Sequence, residues 1–141
     1  MSVYLDASVL LPTFIEEPAS ASIDAFVLAA DNELLVSDFA AAEVASAVSR
    51  LVRMRILPPS DADARLSEFE LWRAGATSPV EVHAADARSA YHLVKRFDLG
   101  LRAPDALHLA IARRLDATLL TLDQRLVRAA AETGVAAKMP I

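Results

Sequence analysis

Three features are missing from this sequence of 141 residues: cysteine, a long apolar run and an excess of positive charge. Without cysteine the chain can form neither disulfides nor thiolate metal sites, and this composition is consistent with a reducing compartment. No apolar run approaches the roughly 18 residues that a membrane-spanning helix needs. The start, Met1-Ser2-Val3-Tyr4, lacks the basic residues of a signal peptide. We therefore expect a soluble cytoplasmic protein with no membrane association.

Acidic residues outnumber basic ones, and the formal net charge at pH 7 is −5. This charge argues against a generally basic surface for nucleic acid. It does not exclude an enzyme that acts on nucleic acid, because metal ions can neutralise clustered acids and a local basic rim can still hold phosphates. The arginines available for such a rim are Arg50, Arg53, Arg55, Arg102, Arg113 and Arg114.

What the sequence does contain is an alternation of short apolar segments and helix-like stretches. The first, second and fourth apolar segments are continuously apolar, which is typical of parallel strands that are buried on both faces. The fifth is the weakest and is expected at an edge of the sheet. The five predicted strands are Ser2–Asp6, Leu34–Ser37, Val80–His83, Thr118–Thr121 and Val135–Met139.

Helices are predicted between these strands. One begins just after Asp6, and the stretch after the second strand has Ser37 or Asp38 as its N-cap. Gly134 stands where the residue after a helix C-cap is expected. The other predicted helices are Pro18–Ala30, Phe39–Ile56, one capped by Ser60 or Asp61 that ends near Arg73, Ala84–Phe97, Pro104–Leu115 and Gln124–Thr133. The alternation predicts one domain over residues 1–141, an α/β/α sandwich whose five-stranded, mainly parallel sheet is flanked by helices.

Four acidic residues are expected at one end of this sheet. Asp6 and Asp123 end the first and fourth strands, Glu43 lies one turn into a helix, and Asp105 follows Pro104 at a helix start. Sites in open parallel sheets form at the carboxyl ends of strands. Close together, four carboxylates would repel one another, and Mg²⁺ or Mn²⁺ would relieve that repulsion through oxygen ligands. The arrangement suggests metal-dependent hydrolysis of phosphodiesters.

Each acid also has an ordinary structural interpretation. Asp6 and Asp123 can cap the helices that follow them, and Asp105 can favour a helix dipole. Glu43 can be a solvated helix residue. Asp86 can cap a helix, lie in solvent or be an outer acid of the site. Any single acid is therefore weakly specific, and the hypothesis depends on their joint placement.

Four segments resemble, in order, the successive motifs of a known family. They are "YLDASVLL", "SDFAAAEVASAVSRL", "LRAPDALHLAIAR" and "LLTLDQRL", and they span the chain from Tyr4 to Leu126. They are similar to PIN domains, specifically to the VapC-type toxins of bacterial toxin–antitoxin pairs. The resemblance implies a PIN fold and a Mg²⁺- or Mn²⁺-dependent endoribonuclease. It implies a catalytic and metal-binding quartet with two supporting hydroxyl residues, namely Asp6, Glu43, Asp105 and Asp123 with Ser8 and Thr121.

The resemblance also implies partners. Members of this family act on RNA, commonly form homodimers and are held inactive by a cognate VapB-type antitoxin. The antitoxin wraps the toxin with its C-terminal segment and can push a basic side chain into the acidic site. Phe69 and Trp72 fall on one face of a predicted helix. They are expected to be core residues, or alternatively to form a groove for an antitoxin segment.

Two other functions stay open at this point. One is a PIN scaffold that binds RNA or a protein partner without catalysis, although the intact quartet weighs against it. The other is a phosphoacceptor receiver domain, which needs an acceptor Asp at the end of the third strand, where this chain has His83-Ala84-Ala85. His108, three residues after Asp105, is expected to be structural and to form a local hydrogen bond, rather than to bind metal or act as a base.

Overall fold

The structure is a computed structural model that describes residues 2–29 and 31–140. In this part of the chain one parallel sheet is formed, with the strand order β3-β2-β1-β4-β5. Its strands are β1 Ser2–Leu5, β2 Glu33–Ser37, β3 Ser78–Val80, β4 Thr118–Leu120 and β5 Ala137–Lys138. The predicted five-stranded parallel sheet is confirmed, as is the edge position of the fifth strand.

Seven helices are described around this sheet, and a short 3₁₀ turn spans Phe97–Leu99. None of the described helices is long and apolar enough to cross a membrane. The helices are α1 Ala7–Phe14, α2 Ser20–Ala29, α3 Asp38–Arg53, α4 Pro59–Ala76, α5 Ala84–Lys95, α6 Ala103–Arg114 and α7 Gln124–Glu132.

Each face of the sheet has its own apolar core, because successive strand residues point to opposite faces. Helices α5, α6 and α7 cover one face, and α1, α2, α3 and α4 cover the other. The strand residues divide accordingly into Tyr4, Leu35 and Leu119 on the first face and Val3, Leu5, Leu34, Val36 and Leu120 on the second. The fold is therefore the predicted α/β/α sandwich, and it leaves the carboxyl ends of β1, β2 and β4 together at one end.

The third strand was predicted in the wrong place. It spans Ser78–Val80 rather than Val80–His83. Pro79 lies in the middle of this strand, and an edge strand tolerates proline because its outer N–H has no ladder partner. His83 instead takes the N-cap position of α5. The other predicted strands differ from the observed ones only at their ends.

Several predicted helix ends also need correction. Helix α3 is capped by Ser37, whose Oγ accepts from the backbone N–H of Ala40 at 3.0 Å, and not by Asp38. Asp38 forms an ion pair with Arg73 at 2.8 Å instead. Helix α3 ends at Arg53, because Arg55 takes a positive φ of 58° that a helix cannot continue.

The starts of α2 and α4 were likewise misplaced. Helix α2 begins at Ser20 rather than Pro18, and Ala30, its predicted end, lies outside the described residues. Helix α4 begins at Pro59 with no side-chain cap, so neither Ser60 nor Asp61 caps it. Proline is favoured at the first helical position because its φ is already helical.

Phe69 and Trp72 of α4 pack against Phe14 of α1. The ring centroids of Phe14 lie 5.3 Å from Phe69 and 5.6 Å from Trp72, both in edge-on geometry. Phe69 is 4% exposed, and Trp72 is partly buried on the same core. The core interpretation of both side chains is confirmed.

Candidate active site

Asp6 follows β1 directly and is the N-cap of α1. Its Oδ1 accepts hydrogen bonds from the backbone N–H of Ser8 at 3.0 Å and from Ser8 Oγ at 2.5 Å, and its Oδ2 accepts from Thr121 Oγ1 at 2.7 Å. The side chain is buried, and burial raises the pKa of Asp6 despite these hydrogen bonds. The predicted capping role of Asp6 is confirmed. These hydrogen bonds come from neutral donors, so they do not neutralise the charge of this buried carboxylate.

The two hydroxyl residues also connect the ends of β1 and β4. Ser8 Oγ accepts from the backbone N–H of Leu122 at 2.9 Å, and Thr121 Oγ1 accepts from that of Asp123 at 3.0 Å. Because each hydroxyl donates to Asp6 while it accepts from the β4–α7 loop, the loop and the Asp6 carboxylate are held in one arrangement. Asp123 is thereby fixed relative to Asp6.

Asp105 and Asp123 approach this junction from α6 and α7. Asp123 caps α7, where its Oδ1 accepts from the backbone N–H groups of Arg125 at 2.9 Å and Leu126 at 3.4 Å. Asp105 lies in the first turn of α6, and its side chain is 19% exposed. Burial raises the pKa of Asp105, and the charge of Asp123 raises it further. These two acids therefore lie within electrostatic range of each other.

Glu43 extends from α3 toward the same place and hydrogen-bonds to His108. Its Oε1 contacts His108 Nε2, and its charge contributes to the raised pKa of Asp105. His108 is buried, as expected for a structural histidine, but the predicted local hydrogen bond is wrong. Its ring nitrogens contact Glu43 of α3 and, at 2.7 Å, the hydroxyl of Tyr4 in β1. His108 lies on the buried face of α6, which packs against other elements, so its hydrogen-bond partners are distant in the sequence.

Tyr4 was missed as a neighbour of the site. The signal available in the sequence was a tyrosine inside a buried apolar strand, because a buried hydroxyl needs a hydrogen-bond partner. Burial raises the pKa of Tyr4, so its hydroxyl keeps its proton throughout the physiological range.

The four candidate acids thus share one end of the sheet, where Asp105 is coupled to both Asp123 and Glu43. Across residues 2–29 and 31–140, however, no three His, Cys, Asp or Glu side chains lie close enough together to hold one metal ion between them. The donors available are carboxylate and hydroxyl oxygens, which suit hard divalent cations.

Asp86 does not belong to this group. Its carboxylate accepts from the backbone N–H of His83 at 2.8 Å and from Arg114 at 2.7 and 2.9 Å. Burial alone would raise the pKa of Asp86, but Arg114 and the His83 N–H outweigh burial and lower it. The predicted capping role is confirmed and the solvated alternative is wrong, because Asp86 is 2% exposed.

Arg102 lies beside Asp105, and Arg125 donates its backbone N–H to Asp123. Arg102 Nε lies 3.9 Å from Asp105 Oδ2, and the Arg102 side chain is 83% exposed. Arg125, which the sequence analysis did not single out, donates from Nη1 to the carbonyl of Gly100 at 3.4 Å. Gly100 has a φ of 64°, a left-handed conformation that favours glycine. Arg114 is engaged with Asp86 instead.

The fold and these motifs can be compared with known proteins. The profile of the PIN domain matches residues 3–132. The chain belongs to the PIN-domain family. This PIN domain is 30% identical over 126 residues to Ribonuclease VapC3 of Pyrobaculum aerophilum, and the match covers 89% of this chain and 92% of that protein. The expected family is thereby confirmed, and the receiver-domain alternative is wrong.

Solved structures share the fold of this PIN domain over nearly its whole length. FitAcB from Neisseria gonorrhoeae superposes with a TM-score of 0.73 at 22% identity, covering 98% of this chain and 97% of that one. VapC20 of Mycobacterium tuberculosis, a toxin that cleaves the sarcin–ricin loop, gives a TM-score of 0.74 at 14% identity, covering 90% and 94%. VapBC-1 from nontypeable Haemophilus influenzae gives 0.72 at 13% identity, covering 99% and 98%.

Proposed function

We propose that this PIN domain is a metal-dependent endoribonuclease toxin of the VapC type, neutralised by a VapB-type antitoxin. One observation carries the proposal: the carboxylate of Asp6, which follows a central strand, is buried and is held by neutral hydrogen-bond donors. The similarity of this chain to a ribonuclease over 126 residues supports hydrolysis of RNA as the reaction. We assign catalysis and metal binding to Asp6, Glu43, Asp105 and Asp123, with Ser8 and Thr121 in support.

The residues at this end of the sheet fit a Mg²⁺ or Mn²⁺ ion. Burial raises the pKa values of Asp6 and Asp105, and the charges of Asp123 and Glu43 raise that of Asp105 further. A divalent cation would favour the ionised form of both carboxylates. Mg²⁺ commonly binds through one or two carboxylates, waters and substrate phosphates, so it needs no complete protein cage beforehand. When bound, the ion would polarise the phosphodiester as a Lewis acid.

The chain's own groups divide the remaining work. The Asp6 carboxylate is oriented by its three hydrogen bonds from Ser8 and Thr121, so it is a fixed anchor for the cation. Asp105 is the best candidate to accept the proton of the attacking water at a carboxylate oxygen, because its pKa is raised and its ion pair with the exposed Arg102 is long, at 3.9 Å.

Arg102 and Arg125 are proposed to hold RNA phosphates at the rim of the site. Arg102 Nε lies 3.9 Å from Asp105 Oδ2, and the backbone N–H of Arg125 donates to Asp123, so both residues adjoin candidate acids. Arginine is suited to this because its planar group donates two parallel hydrogen bonds to a phosphate. Two local positive charges reconcile an RNA substrate with the net charge of −5.

The proposed regulation follows from the same charges. The negative charge of the four candidate acids is complementary to an inserted Lys or Arg of an antitoxin. The solved neighbours named above include a VapBC complex, which supports an antitoxin partner of this kind. We also propose a homodimer, as the family resemblance implies.

Cleavage of total RNA by purified, antitoxin-free protein tests the proposal. Wild type is compared with Asp6→Ala and Asp105→Ala in Mg²⁺, Mn²⁺ or EDTA. The control is Asp61→Ala, which removes an exposed acid in the first turn of α4. We expect discrete metal-dependent cuts by wild type and Asp61→Ala, and a loss of about a hundredfold or more in both site variants.

Cutting that persists in EDTA, or in folded Asp6→Ala protein, would contradict the proposal. A folded wild type that binds Mn²⁺ but cuts no RNA would favour the non-catalytic scaffold that binds RNA or a protein partner.

A further inference from the structure

A buried hydrogen-bond chain runs from the start of α3 to Glu43, farther along the same helix. The backbone N–H of Ala40 lies 3.0 Å from Ser37 Oγ, which lies 2.7 Å from the Tyr4 hydroxyl. That hydroxyl lies 2.7 Å from His108 Nδ1, and His108 Nε2 contacts Glu43 Oε1. Tyr4 and Ser37 are 0% exposed and His108 is 2% exposed, so water does not compete for the bonds among these three side chains, whereas the Glu43 carboxylate at the end of the chain is partly exposed.

One proton arrangement satisfies every group in this chain. A Glu43 carboxylate can only accept, so the proton must be on His108 Nε2. The other nitrogen of a neutral ring then accepts, and Tyr4 is its donor. Ser37 in turn donates to Tyr4, and its oxygen accepts from the backbone of Ala40. Each buried hydroxyl and ring group both donates and accepts, as buried polar groups require.

We propose that Tyr4 and His108 are positioning residues for Glu43: Tyr4 fixes the Nε2–H tautomer of His108, and this N–H holds the Glu43 carboxylate in place for a divalent cation. The inference rests on the proposed function insofar as Glu43 is a ligand. A glutamate has three rotatable side-chain bonds, and immobilising it in advance lowers the entropic cost of binding. Partners of this kind typically change metal affinity by about 10–100-fold.

His108 itself is unsuited to bind the cation. Both of its ring nitrogens are engaged, one by Tyr4 and the other by Glu43. The ring also packs between aromatic neighbours, with centroids 5.6 Å from Tyr4 and 5.3 Å from Phe39. Its contribution to the site therefore passes through Glu43.

The ¹⁵N spectrum of the histidine rings in metal-free wild type tests the tautomer directly. The chain has three histidines, and His83 and His92 are exposed, so they serve as internal references. We expect His108 to show a protonated Nε2 and an unprotonated Nδ1, while the exposed rings show averaged tautomers. A proton on His108 Nδ1, or averaging like that of the other two rings, would overturn the inference.

The two tyrosines of the chain provide a matched pair of variants. Tyr4→Phe removes the hydroxyl that contacts His108, whereas Tyr91→Phe removes an exposed one on α5. In Tyr4→Phe we expect His108 to lose its single tautomer and the dissociation constant for Mn²⁺ to rise about tenfold. We expect neither change in Tyr91→Phe. The inference would be overturned if His108 had the same tautomer in both variants and both variants bound Mn²⁺ with the same affinity.

His108 variants keep the test decisive if Tyr4→Phe does not fold. His108→Gln retains a side-chain N–H donor, and His108→Leu does not, so Gln should bind Mn²⁺ several-fold more tightly than Leu. Equal affinities would contradict the positioning role. RNA cleavage separates the two proposals: the expected tautomer and affinities without any cleavage would remove only the nuclease, whereas cleavage with an averaged His108 tautomer would remove only the positioning role.

Discussion

Asp6 and Asp86 are both buried carboxylates that help to begin a helix, at 5% and 2% exposure, but their partners differ in charge. Asp86 accepts two hydrogen bonds from the guanidinium of Arg114. Asp6 accepts from two hydroxyls and a backbone N–H and has no arginine or lysine partner among the described residues. The two pKa values accordingly shift in opposite directions, down for Asp86 and up for Asp6.

The difference separates an acid that completes the fold from one that is available for function. Burial of a carboxylate is costly, and Arg114 compensates it permanently at Asp86. At Asp6 the compensation is incomplete, and such uncompensated groups cluster at functional sites. The comparison predicts that disturbing Asp86 affects stability and that disturbing Asp6 affects cation binding.

The largest stability effect is expected where the ion pair of Asp86 is broken. Arg114→Leu leaves a buried carboxylate with only the His83 N–H, and we expect a loss of about 2–4 kcal/mol in the free energy of unfolding. This loss in the free energy of unfolding is smaller than that expected for a fully buried ion pair, because the Arg114 side chain is 27% exposed. Urea denaturation measures it, with Arg113→Leu as an exposed control of under about 0.5 kcal/mol. Equal losses in the two variants would show that Arg114 does not compensate Asp86.

Asp6→Asn should have a smaller effect of opposite sign when metal is absent. A raised folded pKa means that the protonated form of Asp6 favours folding, so this stabilising contribution is complete below the unfolded pKa and is lost as pH rises through the folded value. At neutral pH in EDTA we expect Asp6→Asn to be more stable than wild type by about 0.5–2 kcal/mol.

The pH dependence of unfolding provides the check on this sign. The gap between Asp6→Asn and wild type should close as pH falls into the ordinary carboxyl range. Asp86 behaves oppositely, since its lowered pKa gives stability that is lost as pH falls through the folded value. A variant Asp6→Asn that is less stable than wild type at neutral pH would refute the claim that this charge is uncompensated.

The smallest expected effect concerns the exposed arginines near the candidate acids. Arg102→Ala and Arg125→Ala should each weaken RNA binding about three- to tenfold and reduce the salt dependence of log affinity by about one, as for one lost phosphate contact. Fluorescence anisotropy of a labelled RNA, with an inactive Asp105→Ala background, measures both. Arg53→Ala, an exposed arginine at the far end of α3, is the control. If the salt dependence of RNA affinity were identical in the three arginine variants, RNA would not bind at Arg102 and Arg125.

Much of the fold could be predicted because its causes are local. Apolar runs marked β1, β2 and β4, and Asp6 directly follows β1 as expected, whereas Asp123 lies three residues beyond β4 as the N-cap of α7. The edge strand β3 was misplaced because Pro79 breaks the usual pattern of a strand, and its pairing with β2 is what makes it one. Local propensity carries no record of such a pairing.

The partners of Glu43 and Asp86 could not be predicted. Tyr4 and His108 are 104 residues apart, and Asp86 and Arg114 are 28 apart. Motif resemblance named the acids and two supporting hydroxyl residues, Ser8 and Thr121, but it did not indicate the partners of Glu43 or Asp86. Whether a buried acid meets hydroxyls or a guanidinium depends on tertiary packing, and that difference decides its role here.

Binding of Mn²⁺ to metal-free protein, followed by isothermal titration calorimetry, tests the central claim most directly. Wild type, Asp6→Asn and Asp86→Asn are compared at neutral pH after each is shown to be folded. The account predicts that wild type and Asp86→Asn bind Mn²⁺ with similar affinity and that Asp6→Asn loses binding by about tenfold or more. Binding that survives unchanged in Asp6→Asn, or is absent from wild type, would contradict it.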